Sequence, residues 1–209
     1  MDNTDQETVE QLKTWWKQYG SPILAGLVIG GLLFGGFRFY NNSVEEKNRA
    51  ASASYEQLML LIEEGDNAQA RQQIALINDN HSGTSYAGFA QLFLASIEVQ
   101  EANYPQALQA LEQAHALLRT DTLRDLIDLR RARVLLEMGN ERQALALLVA
   151  AEDSSQAAQK LELRGDILAL QGDFQGAREA YLAALEPTAL IEGRVGLLNL
   201  KLNNLPADQ

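Results

Sequence analysis

The chain of 209 residues contains no cysteine. That excludes a disulfide framework, a thiolate nucleophile and any cysteine-ligated zinc site. Histidine is nearly as scarce. His81 and His115 stand 34 positions apart without a ligand-type neighbour at helical spacing, so no metal centre is expected. Positive charge is also short. Lys plus Arg number 17 against 28 Asp plus Glu, a net charge of −11, which argues against a protein that neutralises a nucleic-acid backbone. Proline occurs only four times in a chain rich in Ala, Leu and Gln, which points to helix rather than sheet. The acid pairs Glu63-Glu64 and Glu152-Asp153 fall near expected helix ends, where water solvates them. No constellation of nucleophile, base and phosphate loop is found, so the expectation is a non-catalytic protein without a cofactor.

What is present is unevenly distributed. Six of the 15 glycines lie between Gly20 and Gly36, and Gln18 to Phe37 is a run of 20 uncharged residues. As a helix that run reaches ~30 Å, the thickness of a bilayer's hydrocarbon core. Trp15, Trp16 and Tyr19 flank its start and Phe39 and Tyr40 its end, placing amphipathic rings where headgroups would lie. So many glycines would make a poor core helix in water. The apolar run is too long, and its acidic lead-in wrong, for a cleaved leader, so an uncleaved anchor is expected. Gly26 and Gly30, and Gly31 and Gly35, are small-xxx-small pairs that admit a second membrane helix at close range. Ahead of the span expected at 21–40, Val9, Leu12, Trp15, Trp16 and Tyr19 recur every three or four residues, the pattern of a short surface-lying amphipathic helix. Lys13 and Lys17 before the span and Arg38, Lys47 and Arg49 after it balance so closely that charge leaves the orientation open. The expected organisation is an amphipathic segment at 1–20, a transmembrane helix at 21–40 and a repeat domain at 41–209.

The remainder repeats itself. Glu64-Gly65-Asp66-Asn67-Ala68-Gln69-Ala70 returns as Glu101-Ala102-Asn103-Tyr104-Pro105-Gln106-Ala107. It returns again at Glu137 to Ala144, and as Gln171-Gly172-Asp173-Phe174-Gln175-Gly176-Ala177. The closing alanines are 37, 37 and 33 residues apart, bracketing the period of about 34 in tetratricopeptide repeats. Each phrase reads as a helix stop followed by a helix start: Gly in the left-handed conformation, then Asp or Asn as N-cap, then a small residue where two helices cross. The fourth copy, with Leu161, Gly165, Leu168, Ala177, Tyr181, Ala184 and Pro187, resembles the tetratricopeptide pattern best. Helices are expected at 42–64, 67–79, 84–101, 104–119, 122–138, 141–152, 155–171 and 174–186, and the last, at 189–203, covers the open end of the stack. A hinge loop is expected at 78–84. The fold class is all-α: one N-terminal transmembrane helix, then a tetratricopeptide-like α–α superhelix.

In such a superhelix the first helix of each pair lines the concave side. Counting 18, 15, 11 and 8 residues back from each alanine gives Ser52, Tyr55, Met59 and Ile62, then Phe89, Leu92, Ser96 and Val99. The third set is Leu126, Leu129, Arg133 and Leu136, and the fourth Gln159, Glu162, Asp166 and Ala169. Three sets are mainly apolar, suiting an unfolded segment or an amphipathic helix. Three of the 17 basic residues and four of the 28 acidic ones precede residue 41, which leaves 14 against 24 in the repeat domain. That surface favours basic partners over anionic headgroups.

Val9, Lys13, Trp15-Trp16 and Gly20, the glycine-studded segment 21–40, and Asn41 to Arg49 leading into the repeats together resemble the YfgM-type ancillary subunits of the SecYEG translocon. The resemblance covers the whole chain. It implies a single-pass protein of the bacterial inner membrane, its N-terminus cytoplasmic and its repeat domain periplasmic. It also implies association with the SecYEG translocon and with a membrane-anchored periplasmic chaperone of the prolyl-isomerase type, handing exported polypeptides to periplasmic chaperones. The alternative reading is a membrane-anchored adaptor whose repeats face the cytoplasm and regulate a signalling protein.

Overall fold

The computed structural model describes residues 3–148, 156–186 and 192–206. Among them every regular element is an α-helix: α1 (Asn3–Glu63), α2 (Asn67–His81), α3 (Ser85–Gln100), α4 (Tyr104–Leu117), α5 (Asp121–Glu137), α6 (Glu141–Leu147), α7 (Ala157–Leu170), α8 (Phe174–Leu185) and α9 (Glu192–Asn204). The chain divides into two compact units, Met1–Ala50 and Ala51–Gln209. α1 continues unbroken past Asn42, where a separate helix was expected to begin; no glycine or proline interrupts the chain between Asn41 and Glu63.

In the second unit the repeated phrase does what its chemistry dictates. Four times the chain leaves a helix through the same turn. The amide of Asp66 donates to the Leu61 carbonyl at 3.0 Å, Asn103 to Glu98 at 2.8 Å, Asn140 to Leu135 at 2.8 Å and Asp173 to Leu168 at 2.9 Å. These bonds satisfy carbonyls that the helix end would otherwise leave unpaired. Gly65, Gly139 and Gly172 hold the required positive φ at 73°, 72° and 80°, and Ala102 holds it at 58° in the second copy. The cap divides by residue type. Asp66 accepts from the Gln69 amide at 3.0 Å and Asp173 from the Gly176 amide at 2.9 Å. Asn103 and Asn140 make no such bond; Asn103 instead donates to Glu98 at 2.9 Å. Ala70, Ala107, Ala144 and Ala177, the fixed marks of the repeat, are all fully buried.

The core follows the hairpins. Leu58, Ile74 and Ile77 meet α3, Leu111 and Ile127 join α3 to α5, Leu129 and Leu148 join α5 to α7, and Tyr181 and Leu198 bring α9 onto α8. The expected hinge at 78–84 shrinks to three residues. α2 continues through His81, whose ring stands 3.3 Å from the Ser54 hydroxyl. Thr84 closes the turn: its hydroxyl donates to the His81 carbonyl at 2.8 Å and accepts from the Ala87 amide at 3.3 Å. α6 ends at Leu147, short of the expected 152; residues 149–155, with the small position Ala151, lie outside the described residues.

Candidate functional site

α3, α4 and α5 enclose a cavity of about 430 Å³ open to solvent. Ala95, Leu111 and Val134 form its floor, each buried. Leu92, Ser96, Val99 and Tyr104 form its walls, with Val99 41% exposed. Arg130, Arg133 and Glu137 stand along the α5 edge. The floor is apolar because α3 and α4 cross on alanines, which brings the backbones close and leaves the larger side chains to frame a hollow. Its volume lies within the range of small-ligand pockets, about 300–1,000 Å³.

Four expected groove positions, Leu92, Ser96, Val99 and Arg133, thus come together in one hollow, and the others lie elsewhere. Tyr55 on α1 meets Tyr86, Phe89 and Phe93 at ring separations of 5.6, 6.3 and 6.2 Å, a half-buried aromatic cluster beside α3. Burial raises the Tyr55 hydroxyl's pKa. Met59, Ile62 and Leu126 are half-buried. Ile62 packs on the Leu58–Ile74 core, and Leu129, 2% exposed, sits inside the core that α5 shares with α6 and α7. The counting rule placed Leu129 on an open stripe. α7 covers it instead, tied across α5 by the buried Lys160, whose ammonium donates to Asp125 at 2.7 Å.

The fourth set is occupied by the chain itself. Lys201 on α9 donates to Glu162 at 2.8 Å and to both oxygens of Asp166 at 2.7 and 2.8 Å, and Arg194 pairs with Glu162. Asp166 also accepts from the Tyr181 hydroxyl at 2.8 Å. Burial alone would raise the Glu162 carboxyl, but the two cations outweigh it and hold its pKa below the ordinary range. Burial likewise works against the charged Lys201, yet Asp166 and Glu162 raise its pKa. Burial, then Asp166, push the Tyr181 phenol up. Sequence reasoning missed Arg130, Tyr104, Val134 and Glu137 around the cavity, and Arg194 and Lys201 on α9. The spacing of Arg130 and Arg133, one helical turn apart, was the signal available for the first of these.

Among the described residues no helix is long and apolar enough to cross a membrane. The side chains of residues 18–29, with Tyr19 and Gly26, lie outside the described residues, as do Gly35 and Tyr40. Those that are described in this stretch are uncovered. Trp15, Trp16, Leu32, Phe34, Phe37 and Phe39 are exposed, and Gly30 and Gly31 have open space where a Cβ would stand. Among the described residues no group of three or more His, Cys, Asp or Glu is placed to hold a metal.

Helical hairpins joined by one recurring turn, with a hollow between neighbouring pairs, define a tetratricopeptide-like repeat protein. The family model described as a tetratricopeptide repeat-like domain matches residues 13–207. Proteins named "Ancillary SecYEG translocon subunit" align almost end to end. The one from Aggregatibacter actinomycetemcomitans is 32% identical over 203 residues, 96% of this chain and 97% of its own. That of Escherichia coli K12 is 30% identical over 206 residues, 96% of each, and that of Neisseria gonorrhoeae 26% over 207, 96% of this chain and 97% of its own. The chain therefore belongs to the family of ancillary SecYEG translocon subunits. A solved structure of Pseudomonas aeruginosa pilF overlaps 75% of this chain and 84% of its own at 16% identity, with a TM-score of 0.42, too loose a superposition to argue from.

Proposed function

We propose that the chain is a single-pass accessory protein of the SecYEG translocon in the bacterial inner membrane, with 21–40 as its anchor and its repeat domain in the periplasm. There the repeats dock segments of exported polypeptides, and a membrane-anchored periplasmic chaperone of the prolyl-isomerase type, through contact rather than reaction. The observation that carries this is the alignment over 96% of the chain with relatives bearing the translocon name, which includes the apolar run. The uncovered rings of Phe34, Phe37 and Phe39 and the bare faces of Gly30 and Gly31 support an anchor that meets lipid or another helix. Covalent attachment to the anchor raises the local concentration of the hollow near the membrane, so weak contacts suffice.

Photocrosslinking in cells tests the reading. A crosslinker at Gly30 or Leu32 is expected to capture translocon subunits, and one at Val99 an exported chain or a chaperone. A cysteine introduced at Gly83 is expected to react with a membrane-impermeant reagent while the inner membrane is intact. Capture of no translocon subunit from the anchor removes the proposal. Labelling of Gly83→Cys only after that membrane is opened assigns the repeats to the cytoplasm.

A further inference from the structure

The hollow has a charge pattern that the chain as a whole does not. Its floor of Ala95, Leu111 and Val134 is apolar and buried. Its α5 rim carries Arg130 and Arg133, one turn apart and both exposed, with neither in any hydrogen bond or ion pair of the described residues. Arg131 between them, by contrast, is tied to Asp128 at 3.0 Å and Glu112 at 3.5 Å. Among the described residues Glu137 is the one carboxylate in the lining, against two guanidiniums. In a repeat domain with 24 acids and 14 bases, two unpaired arginines over an apolar floor reverse the surrounding sign.

We propose that this hollow takes a segment of another protein that presents a bulky apolar side chain with an Asp or Glu within one turn of it. The apolar group fills the space over Ala95 and Val134, and its carboxylate pairs with Arg130 and Arg133. Guanidiniums suit this role because they pair with carboxylates in a fixed planar geometry. The rim then selects among apolar segments, and the acidic remainder of the domain repels those whose charge falls elsewhere. The inference rests on the reading of the repeats as a docking surface and adds the chemistry of what docks.

The test uses the full chain in detergent and short fluorescein-labelled peptides with a Leu-Phe centre flanked by Asp, Asn or Lys. Anisotropy titrations are expected to rank Asp over Asn over Lys, with Asp about three- to tenfold tighter than Asn at low salt. High salt should narrow the gap. The double variant Arg130→Glu/Arg133→Glu is expected to reverse the order, while Arg119→Glu, an exposed charge swap away from the hollow, leaves it. Val99→Trp, which fills the space, should weaken all three peptides. Equal binding of the three, an order indifferent to the double variant, or no binding at all overturns the inference. So does self-association of the chain that competes with peptide, since the occupant is then a second copy. If the charge order is absent while Val99 still crosslinks to exported chains in cells, the docking surface stands and only this inference falls.

Discussion

Replacing Gly165 by alanine separates two effects of opposite sign. In a helix interior the change gains ~1 kcal/mol of propensity. At this site an added Cβ would stand 2.5 Å from Tyr181 Cδ1 and 3.0 Å from Cζ, and closer still to Cε1. Ordinary carbon contacts lie at about 3.5–4.0 Å, so the ring must move by roughly an ångström. It is not free to do so: it is buried, and its hydroxyl is held by Asp166 at 2.8 Å. Overpacking costs ~1–3 kcal/mol; against a ring pinned in this way the upper part of that range applies, about 2–3 kcal/mol, so after the propensity gain the net expectation is a loss of ~1–2 kcal/mol. For a domain of this size each kcal/mol moves the melting temperature by about 2–4 °C. Gly196 on α9 supplies the control, since a Cβ there meets nothing within 4 Å. Gly196→Ala should raise the melting temperature slightly, Gly165→Ala should lower it by about 2–8 °C, and Tyr181→Leu in the Gly165→Ala background should recover part of the loss. A melt of Gly165→Ala at or above wild type would refute the packing argument, because propensity alone would then govern the site.

Ala102 sits with φ of 58° in a turn where the other three copies use glycine; Ala102→Gly should stabilise the domain by ~1 kcal/mol, read as a raised denaturation midpoint. Ala144→Trp or Ala177→Trp places a large ring at a fully buried helix crossing and should cost ~1–3 kcal/mol or more; unchanged melting of both would show that the repeat register is wrong. Lys201→Met leaves Glu162 and Asp166 short of their shared cation, and a loss of ~1–3 kcal/mol is expected in thermal melts. Glu162 titrates below its ordinary value in the fold, so its contribution is complete above the unfolded pKa of about 4.3 and is lost as pH falls through the lower folded value. Glu162→Gln should therefore flatten the acid limb of the stability profile below pH ~4, and an unaltered limb would contradict the assignment.

The turns were legible in the sequence because their signal is local. Gly or Ala followed by Asp or Asn, with a small residue four positions later, encodes stop, cap and crossing within one short phrase, and all four copies form the same turn. Asp and Asn looked equivalent there, yet only the aspartates cap: the side chain of Asn103 donates to Glu98, and Asn140 makes no cap hydrogen bond. The hinge at 78–84 was over-read: Asn and Asp favour turns, but without glycine or proline before Gly83 nothing stops α2. The groove was legible only in part. Counting back from the alanines found Leu92, Val99 and Arg133, which share a hollow. It failed at Leu129, because a fixed register cannot show which stripes a later helix covers. The α9 ion pairs were beyond it altogether, since Lys201 and Glu162 are 39 residues apart and nothing local joins them.

The way α9 is fastened makes the far end of the domain sensitive to trimming. A chain cut after Leu185 would keep its last hairpin whole yet strand two carboxylates, one of them buried, with no cation to answer them. Clipping the tail by a protease therefore removes more than length: it opens an acidic mouth where a closed one stood, and turns the stack's terminus into a place that attracts basic chains.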